Sequence, residues 1–317
     1  MRTLCLSTDV CATALTVIAV LAAVGLATAA GLWWLRRSLT PTRLTQTPTV
    51  RPGEPTPQQV RLPTVRGRSL NAWWLPPPGT DAPGMPVVVL MHGWGGNAAT
   101  LWSAACHLHQ AGYAVLLPES RNHGQSDADT FSSLPRFAED LDAALDWAER
   151  QPGVAVGQLV ALGHSVGGAA VLLSASRRRD LLAVVSVSAF AHPEMVMRRW
   201  LATRHIPYWP LGWLVNRYVE HVIGHRFADI APLHTLPRVS CPVLLVHGTR
   251  DDVVPLSCAR QLQHAARAGH ATLLDVPGTH ESFDDEVRLM ADVLYWLHTG
   301  ATPPVGGQAG SLNTLTD

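Results

Sequence analysis

The sequence contains no lysine; all 24 of its basic side chains are arginine. Charge of any kind is scarce, at 15% of residues, and 24 acidic side chains bring the formal net charge to zero. A chain without a basic excess lacks the electrostatic footprint that nucleic-acid binding requires. The one basic run, Arg177-Arg178-Arg179, falls where a helix should end, and cations there complement the helix dipole. It reads as a solvated helix end. Cysteine is also sparse. Cys5, Cys11, Cys106, Cys241 and Cys258 form no C-x-x-C pair and no regular framework, so no structural disulfide is expected, in keeping with a reducing compartment. Metal-site and phosphate-loop signatures are missing as well. His221 and His225 are spaced i, i+4, but no Glu follows His221, so H-E-x-x-H fails and packed or solvated imidazoles are the reading. Neither a metal nor a cofactor is expected.

Apolar residues are abundant, at 47% of 317 residues, enough for a sizeable core. The first concentration of them is residues 10–35, "VCATALTVIAVLAAVGLATAAGLWWL", which carries no charge. It exceeds the ~20 residues that a helix needs to cross a bilayer. Trp33 and Trp34 stand at its end and Arg36-Arg37 follow, as at a membrane interface. A cleaved signal peptide is the competing reading, since Ala27-Thr28-Ala29 resembles a cleavage site. The run is long for a signal core of ~7–15 residues, so an uncleaved transmembrane anchor is favoured. Arg36, Arg37, Arg43 and Arg51 follow the span and only Arg2 precedes it. The positive-inside rule then places the large domain in the cytoplasm, on a single-pass inner-membrane protein.

A short tail (1–9) precedes this span. A Pro/Thr-rich stretch (36–57) follows it and reads as an extended tether. From residue 58 to about 300, strand and helix patterns alternate. Apolar β-branched runs such as "PVVVLMHG", "YAVLLPES", "QLVALGHS", "LAVVSVSA", "PVLLVHG" and "ATLLDVPG" read as strands covered on both faces. Helical patterns fall at residues 97–111, 135–150, 166–175, 256–268 and 281–297. A strand pair is expected around Gly67. This is an α/β chain with a mostly parallel sheet and helices on both faces. Residues 191–237 hold no clean strand and several aromatic residues, among them Trp200, Trp209 and Trp213, and read as a helical insertion. Residues 301–317 read as a tail.

The chemistry centres on Gly163-His164-Ser165-Val166-Gly167, a G-x-S-x-G with a strand before it and a helix after it. A sharp turn of this kind lifts the serine hydroxyl out at the carboxyl end of the sheet. A hydroxyl needs a base, and the base needs a carboxylate to orient it. Of fifteen histidines, His280 lies in the loop after the last predicted strand, and Asp251, with Asp252 as its local rival, lies in the loop after the preceding one. Carboxyl ends of parallel strands are where such sheets build sites. Oxyanion-stabilising N–H groups are expected from Val166 and from the glycine-rich loop His92–Gly96, with Trp94 the first candidate and Gly95 the second.

Taken together, "LMHGWGGN", "ESRNHGQSD", "LGHSVGG", "HGTRDDVVP" and "PGTHESF" resemble the alpha/beta-hydrolase superfamily, in particular its serine aminopeptidase-like and lysophospholipase-like hydrolases. The resemblance runs from about Val87 to Phe283. It implies the alpha/beta-hydrolase fold with a helical cap at 191–237. It also implies a Ser165–Asp251–His280 triad, because H-G-x-x-D-x-x-V-P matches at His247, Gly248, Asp251, Val254 and Pro255. The segment "ESRNHGQSD" departs from the family's D-x-R-G-H-G-x-S at Glu119 and Asn122. The expectation is a membrane-anchored serine hydrolase acting on small-molecule or lipid esters. An amidase, aminopeptidase or thioesterase is the alternative, and a non-catalytic binding module is the remaining one.

Overall fold

The computed structural model describes residues 8–78 and 84–303. The tails expected at 1–9 and 301–317 fall mostly outside them. Helix α1, Thr8–Ser38, extends the predicted 10–35 segment at both ends. Among the described residues it alone is long and apolar enough to cross a membrane, with a mean hydropathy of 2.3 in its most apolar stretch.

Residues 41 onward form a separate unit. Its sheet has eight strands: β1 (Gln58–Thr64), β2 (Arg68–Leu75), β3 (Met85–Met91), β4 (Ala114–Pro118), β5 (Val154–His164), β6 (Leu181–Val187), β7 (Val243–Gly248) and β8 (Ala271–Val276). Their order is β1-β2-β4-β3-β5-β6-β7-β8. β1 and β2 pair antiparallel, as do β2 and β4; every other neighbour is parallel. The central strands are Val- and Leu-rich without alternation because helices cover both of their faces. Helices α2 (Trp102–Gln110) and α10 (Glu286–Thr299) bury one face, contributing Trp102, Leu108, Met290 and Trp296 to a core with Val88, Leu90, Val160 and Leu244. Helices α3 (Leu134–Ala148) and α4 (Val166–Ala175) pack together on the sheet, and every residue of α4 is buried. The insertion after β6 is helical, as read, with α5 (Pro193–Ala202), α6 (Trp213–Ile223), α7 (Phe227–Ile230) and α8 (Pro232–Thr235). Helix α9 (Leu256–Ala265) joins β7 to β8.

Several boundaries differ from the sequence reading. The 97–111 helix opens as a 3-10 turn (Ala98–Leu101) capped by Asn97, whose carbonyl side chain accepts the Ala99 N–H at 3.0 Å. Helix α10 starts at Glu286 rather than 281, because Gly278 and Phe283 pair across a tight turn and Asp285 caps the helix. His225 does not share a helix face with His221: α6 stops at Ile223, with Gly224 in the left-handed region as its cap. The Pro/Thr-rich stretch has no helix or strand from residue 41 to 50, yet it does not hang free. Arg43 donates to the Gly124 and Ser126 carbonyls, and Asn97 donates to the Leu44 and Gln46 carbonyls. The run Arg177-Arg178-Arg179 follows α4 as expected, with Arg177 on Asp142 and Arg178 on Asp146 and Asp180. Cys106, Cys241 and Cys258 are free and buried.

The loop after β4 is fixed by a buried cation. Arg121 is 2% exposed and binds Asp140 at 2.8 Å, Asp129 at 3.0 Å and Glu139 at 2.6 Å. Asn122 takes the left-handed conformation (φ 68°) where the family's stretch has glycine, and its side chain bonds Ser132 and the Asp129 N–H. Asparagine is among the few non-glycine residues that tolerate this region. Glu119 accepts from the Asn71 side chain and the Gln125 N–H. Asp129 also pairs with Arg136 at 3.2 Å, so replacing Arg121 with Met should strand one buried carboxylate, that of Asp140, and cost about 3 kcal/mol, measured as a loss of unfolding free energy in denaturant; a loss below 1 kcal/mol would contradict this arrangement.

Candidate active site

β5 ends at His164, and α4 begins at Val166 with only Ser165 between them. A strand can turn into a helix in one residue only by leaving the common backbone regions, and Ser165 sits at φ 56°, ψ −117°. Its N–H is held by the Val187 carbonyl at 2.8 Å, and its carbonyl accepts the Ala169 N–H at 3.0 Å. The flanking glycines are dictated by space. A Cβ on Gly163 would lie 2.2 Å from the Gly167 oxygen, and one on Gly167 would lie 2.3 Å from the Met91 oxygen.

The structure brings together the three side chains that the sequence singled out. His280 Nε2 lies 3.0 Å from Ser165 Oγ, and His280 Nδ1 lies 2.8 Å from Asp251 Oδ2. The other oxygen of Asp251 accepts the N–H groups of Val253 and Val254 at 2.9 and 2.7 Å. Burial pushes the Asp251 carboxyl up, but the Val254 N–H, His280 and the Val253 N–H more than offset this and hold it below its ordinary value. Asp252 is exposed, and the carboxylate on His280 is that of Asp251. His247 lies 3.4 Å from Asp251 and donates to the Val254 carbonyl at 2.8 Å, closing the turn that aims the carboxylate.

Beside Ser165 runs the glycine-rich loop. A Cβ on Gly93 would come within 3.2 Å of the Ser165 Cβ, a crowded contact that a side chain could make only by shifting its neighbours. The Gly95 N–H is taken by His123 Nε2 at 3.2 Å, which leaves Trp94 as the candidate of the two. Val166 opens α4, and the first amides of a helix have no partner within it. His221 and His225 are exposed. Among the described residues no three His, Cys, Asp or Glu side chains converge to hold a metal.

Three histidines that the sequence reading passed over support the site. His164 directly precedes Ser165 in chain, His92 lies two residues before Trp94, and His123 lies in the motif after β4; that proximity was the available signal. His92 Nε2 accepts the Ser120 N–H at 3.1 Å, so its Nδ1 carries the proton and donates to the Gly93 carbonyl at 2.7 Å. His123 Nε2 accepts from Gly95, so its Nδ1 donates to the Arg121 carbonyl. Burial drives His92 down to about 3 and His123 down to about 4. His164, also lowered by burial, donates from Nε2 to the His280 carbonyl at 2.7 Å. It further lines a cavity of about 280 Å³ beneath the His280 turn, with Val187, Glu281, Phe283, Met290 and Val293.

The architecture is the alpha/beta-hydrolase fold, and the chain is similar to members of that superfamily. The family model for serine aminopeptidase, S33, matches residues 83–229. The uncharacterised protein YfhR of Escherichia coli (strain K12) is 25% identical over 235 residues, which is 72% of this chain and 75% of that protein. Among solved structures, the Pyrococcus furiosus esterase Pf2001 superposes with a TM-score of 0.62 at 19% identity, over 82% of this chain and 93% of the esterase. Est1E from Butyrivibrio proteoclasticus with bound ferulic acid superposes with a TM-score of 0.57 at 23% identity, over 75% and 96%.

Two outcomes are expected. His92 and His123 must be neutral to accept the N–H groups they hold, whereas free imidazoles take up protons below about pH 6.5. Their lowered values mean that the stability they contribute is complete above about pH 6.5 and is lost as the pH falls toward 4 and then 3. The urea midpoint should decline across that window; a flat profile would refute neutral rings. Second, His164→Leu removes the N–H that holds the His280 carbonyl. Amide hydrogen exchange in residues 278–283 should then rise by about tenfold or more, read by mass spectrometry. Exchange unchanged from wild type would mean that packing alone holds the turn.

Proposed function

We propose that the protein is a membrane-anchored serine hydrolase that cleaves carboxylic esters through an acyl-enzyme. The observation that carries this reading is the continuous chain Asp251–His280–Ser165, at 2.8 and 3.0 Å, ending on a serine in a strained turn at the head of a helix. In the proposed cycle, His280 Nε2 takes the Ser165 proton as Oγ attacks the acyl carbonyl. Asp251 keeps the imidazole in the tautomer with its proton on Nδ1 and stabilises the imidazolium. The Val166 and Trp94 N–H groups stabilise the oxyanion. His280 then protonates the leaving alcohol, activates a water in the same way, and the carboxylic acid departs.

α1 serves as the anchor, and the arginines at 36, 37, 43 and 51 favour an inner-membrane protein with its hydrolase domain in the cytoplasm. The insertion after β6 is the proposed cap over the site. An amide substrate is the second reading, favoured by the match to the serine aminopeptidase model.

The test is labelling of the full chain by a fluorophosphonate, which reports only an activated serine. Wild type should label and Ser165→Ala should not, and ester turnover should fall by roughly 10⁴–10⁶. Asp251→Asn should keep the fold and lose about 10⁴. Labelling that survives Ser165→Ala would sink the mechanism, and faster cleavage of aminoacyl amides than of esters would transfer the reading to an amidase.

A further inference from the structure

The helical insertion exposes large apolar side chains. Trp209 is 72% exposed, Leu211 49%, Leu214 53% and Trp213 38%. These residues lie on the turn Tyr208–Gly212 and the first turn of α6, and the Trp209 and Trp213 rings lie 5.9 Å apart. A contiguous ridge of this kind marks an interaction surface in a soluble domain. Its flanks are basic. Residues 193–226 hold five arginines (Arg198, Arg199, Arg204, Arg217 and Arg226) against two acidic residues, Glu194 and Glu220, which pair with Arg198 and Arg217, in a chain whose net charge is zero. Arg198 lies over the Tyr208 ring at 3.4 Å and Arg217 over the Trp213 ring at 5.7 Å. Exposed indoles and leucines flanked by arginines whose guanidinium groups sit over aromatic rings form the pattern of an element at a lipid–water boundary.

The chain also carries its own candidate membrane helix, α1, which ends at Ser38. Arg43 and residues 44–46 are pinned to the loops after β4 and β3. Those loops, Ser165 and the insertion after β6 all lie at the carboxyl end of the parallel strands. We propose that the ridge Trp209–Leu211–Trp213–Leu214 docks on an anionic lipid bilayer, so that the site takes esters from the lipid phase. The arginine excess selects the anionic surface, and the indoles seat at the headgroup level. The proposal rests on the anchored ester-hydrolase reading for its substrate, but not for the docking itself.

The test uses the full chain in vesicles of phosphatidylcholine, with and without phosphatidylglycerol, built with lipids brominated on the acyl chain. A Trp209→Ser, Trp213→Ser variant should lose part of the quenchable tryptophan emission that wild type shows in anionic vesicles. A Leu211→Ser, Leu214→Ser variant should hydrolyse a bilayer-embedded ester about tenfold more slowly while a short water-soluble ester is cleaved within about twofold of wild type. Equal quenching in wild type and the tryptophan variant would overturn the proposal. So would an equal fall on both esters. Loss of a dimer in detergent with quenching unchanged would assign the ridge to a second copy of the chain. No turnover of either ester by wild type, with the quenching difference intact, would remove the hydrolase reading and support the docking surface.

Discussion

Everything at the site depends on the register of four parallel strands. His164 on β5 pairs with Val187 on β6, Val187 pairs with Val246 on β7, and Gly248 at the end of β7 pairs with Val276 at the end of β8. The strand ends therefore form one edge, and the chain needs to run only one residue past it for Ser165, three for Asp251 and four for His280. A shift of one residue in any pairing would turn alternate side chains to the opposite face. It would carry the serine away from the imidazole by more than a hydrogen bond can span. The site's precision is thus a property of the sheet, and the loops only complete it.

Completion falls to buried polar groups whose desolvation must be answered locally. The loops after β3 and β4 meet through imidazoles rather than hydrocarbon. His92 and His123 rings lie 4.9 Å apart, and both pack edge-on against Phe137. Each ring donates to one backbone carbonyl and accepts from one backbone N–H, so neither loop leaves those groups unpaired in the interior. Beneath them, Arg121 gathers three carboxylates. Such a cluster adds little to stability against a hydrocarbon replacement of the same shape, because the desolvation of its charges is large. What it does here is fix the backbone at residues 119–127 to which His92, Asn71 and Arg43 are bonded.

Much of this was legible in the sequence because the signals were redundant. The β-branched runs gave the strands, and G-x-S-x-G had the strand and helix that its turn demands. Asp251 and His280 each followed a strand end. What escaped was set by tertiary context. The start of α10 moved because the turn at 278–283 competes for the same residues, and a helical pattern does not register that competition. The 41–46 segment has the composition of a tether, yet Asn97 and Arg43 provide it with partners that no local pattern reveals. Asn122, a departure from the family stretch by identity, preserves it by conformation, since the left-handed backbone is what that position requires. The three supporting histidines lie inside the quoted motifs, but their hydrogen-bond partners are set by the fold and not by the local pattern.

The turn that carries His280 illustrates why directed bonds matter more than packing at this edge. Its residues Glu281, Ser282 and Phe283 line a cavity, so part of the turn is less closely packed. Position must then come from hydrogen bonds: Thr279 N–H to the Ser282 carbonyl, Arg250 N–H to the Gly278 carbonyl, the His280 ring to Asp251, and His164 to the His280 carbonyl. Three of these hold the turn from within itself or from the neighbouring loop after β7. The His164 bond is different in kind, because it ties the main chain of residue 280 to the residue immediately before Ser165. A movement of β5 relative to β8 would therefore carry both ends of the Ser165–His280 pair together. That coupling keeps a 3.0 Å contact between elements separated by two intervening strands and by more than a hundred residues of chain.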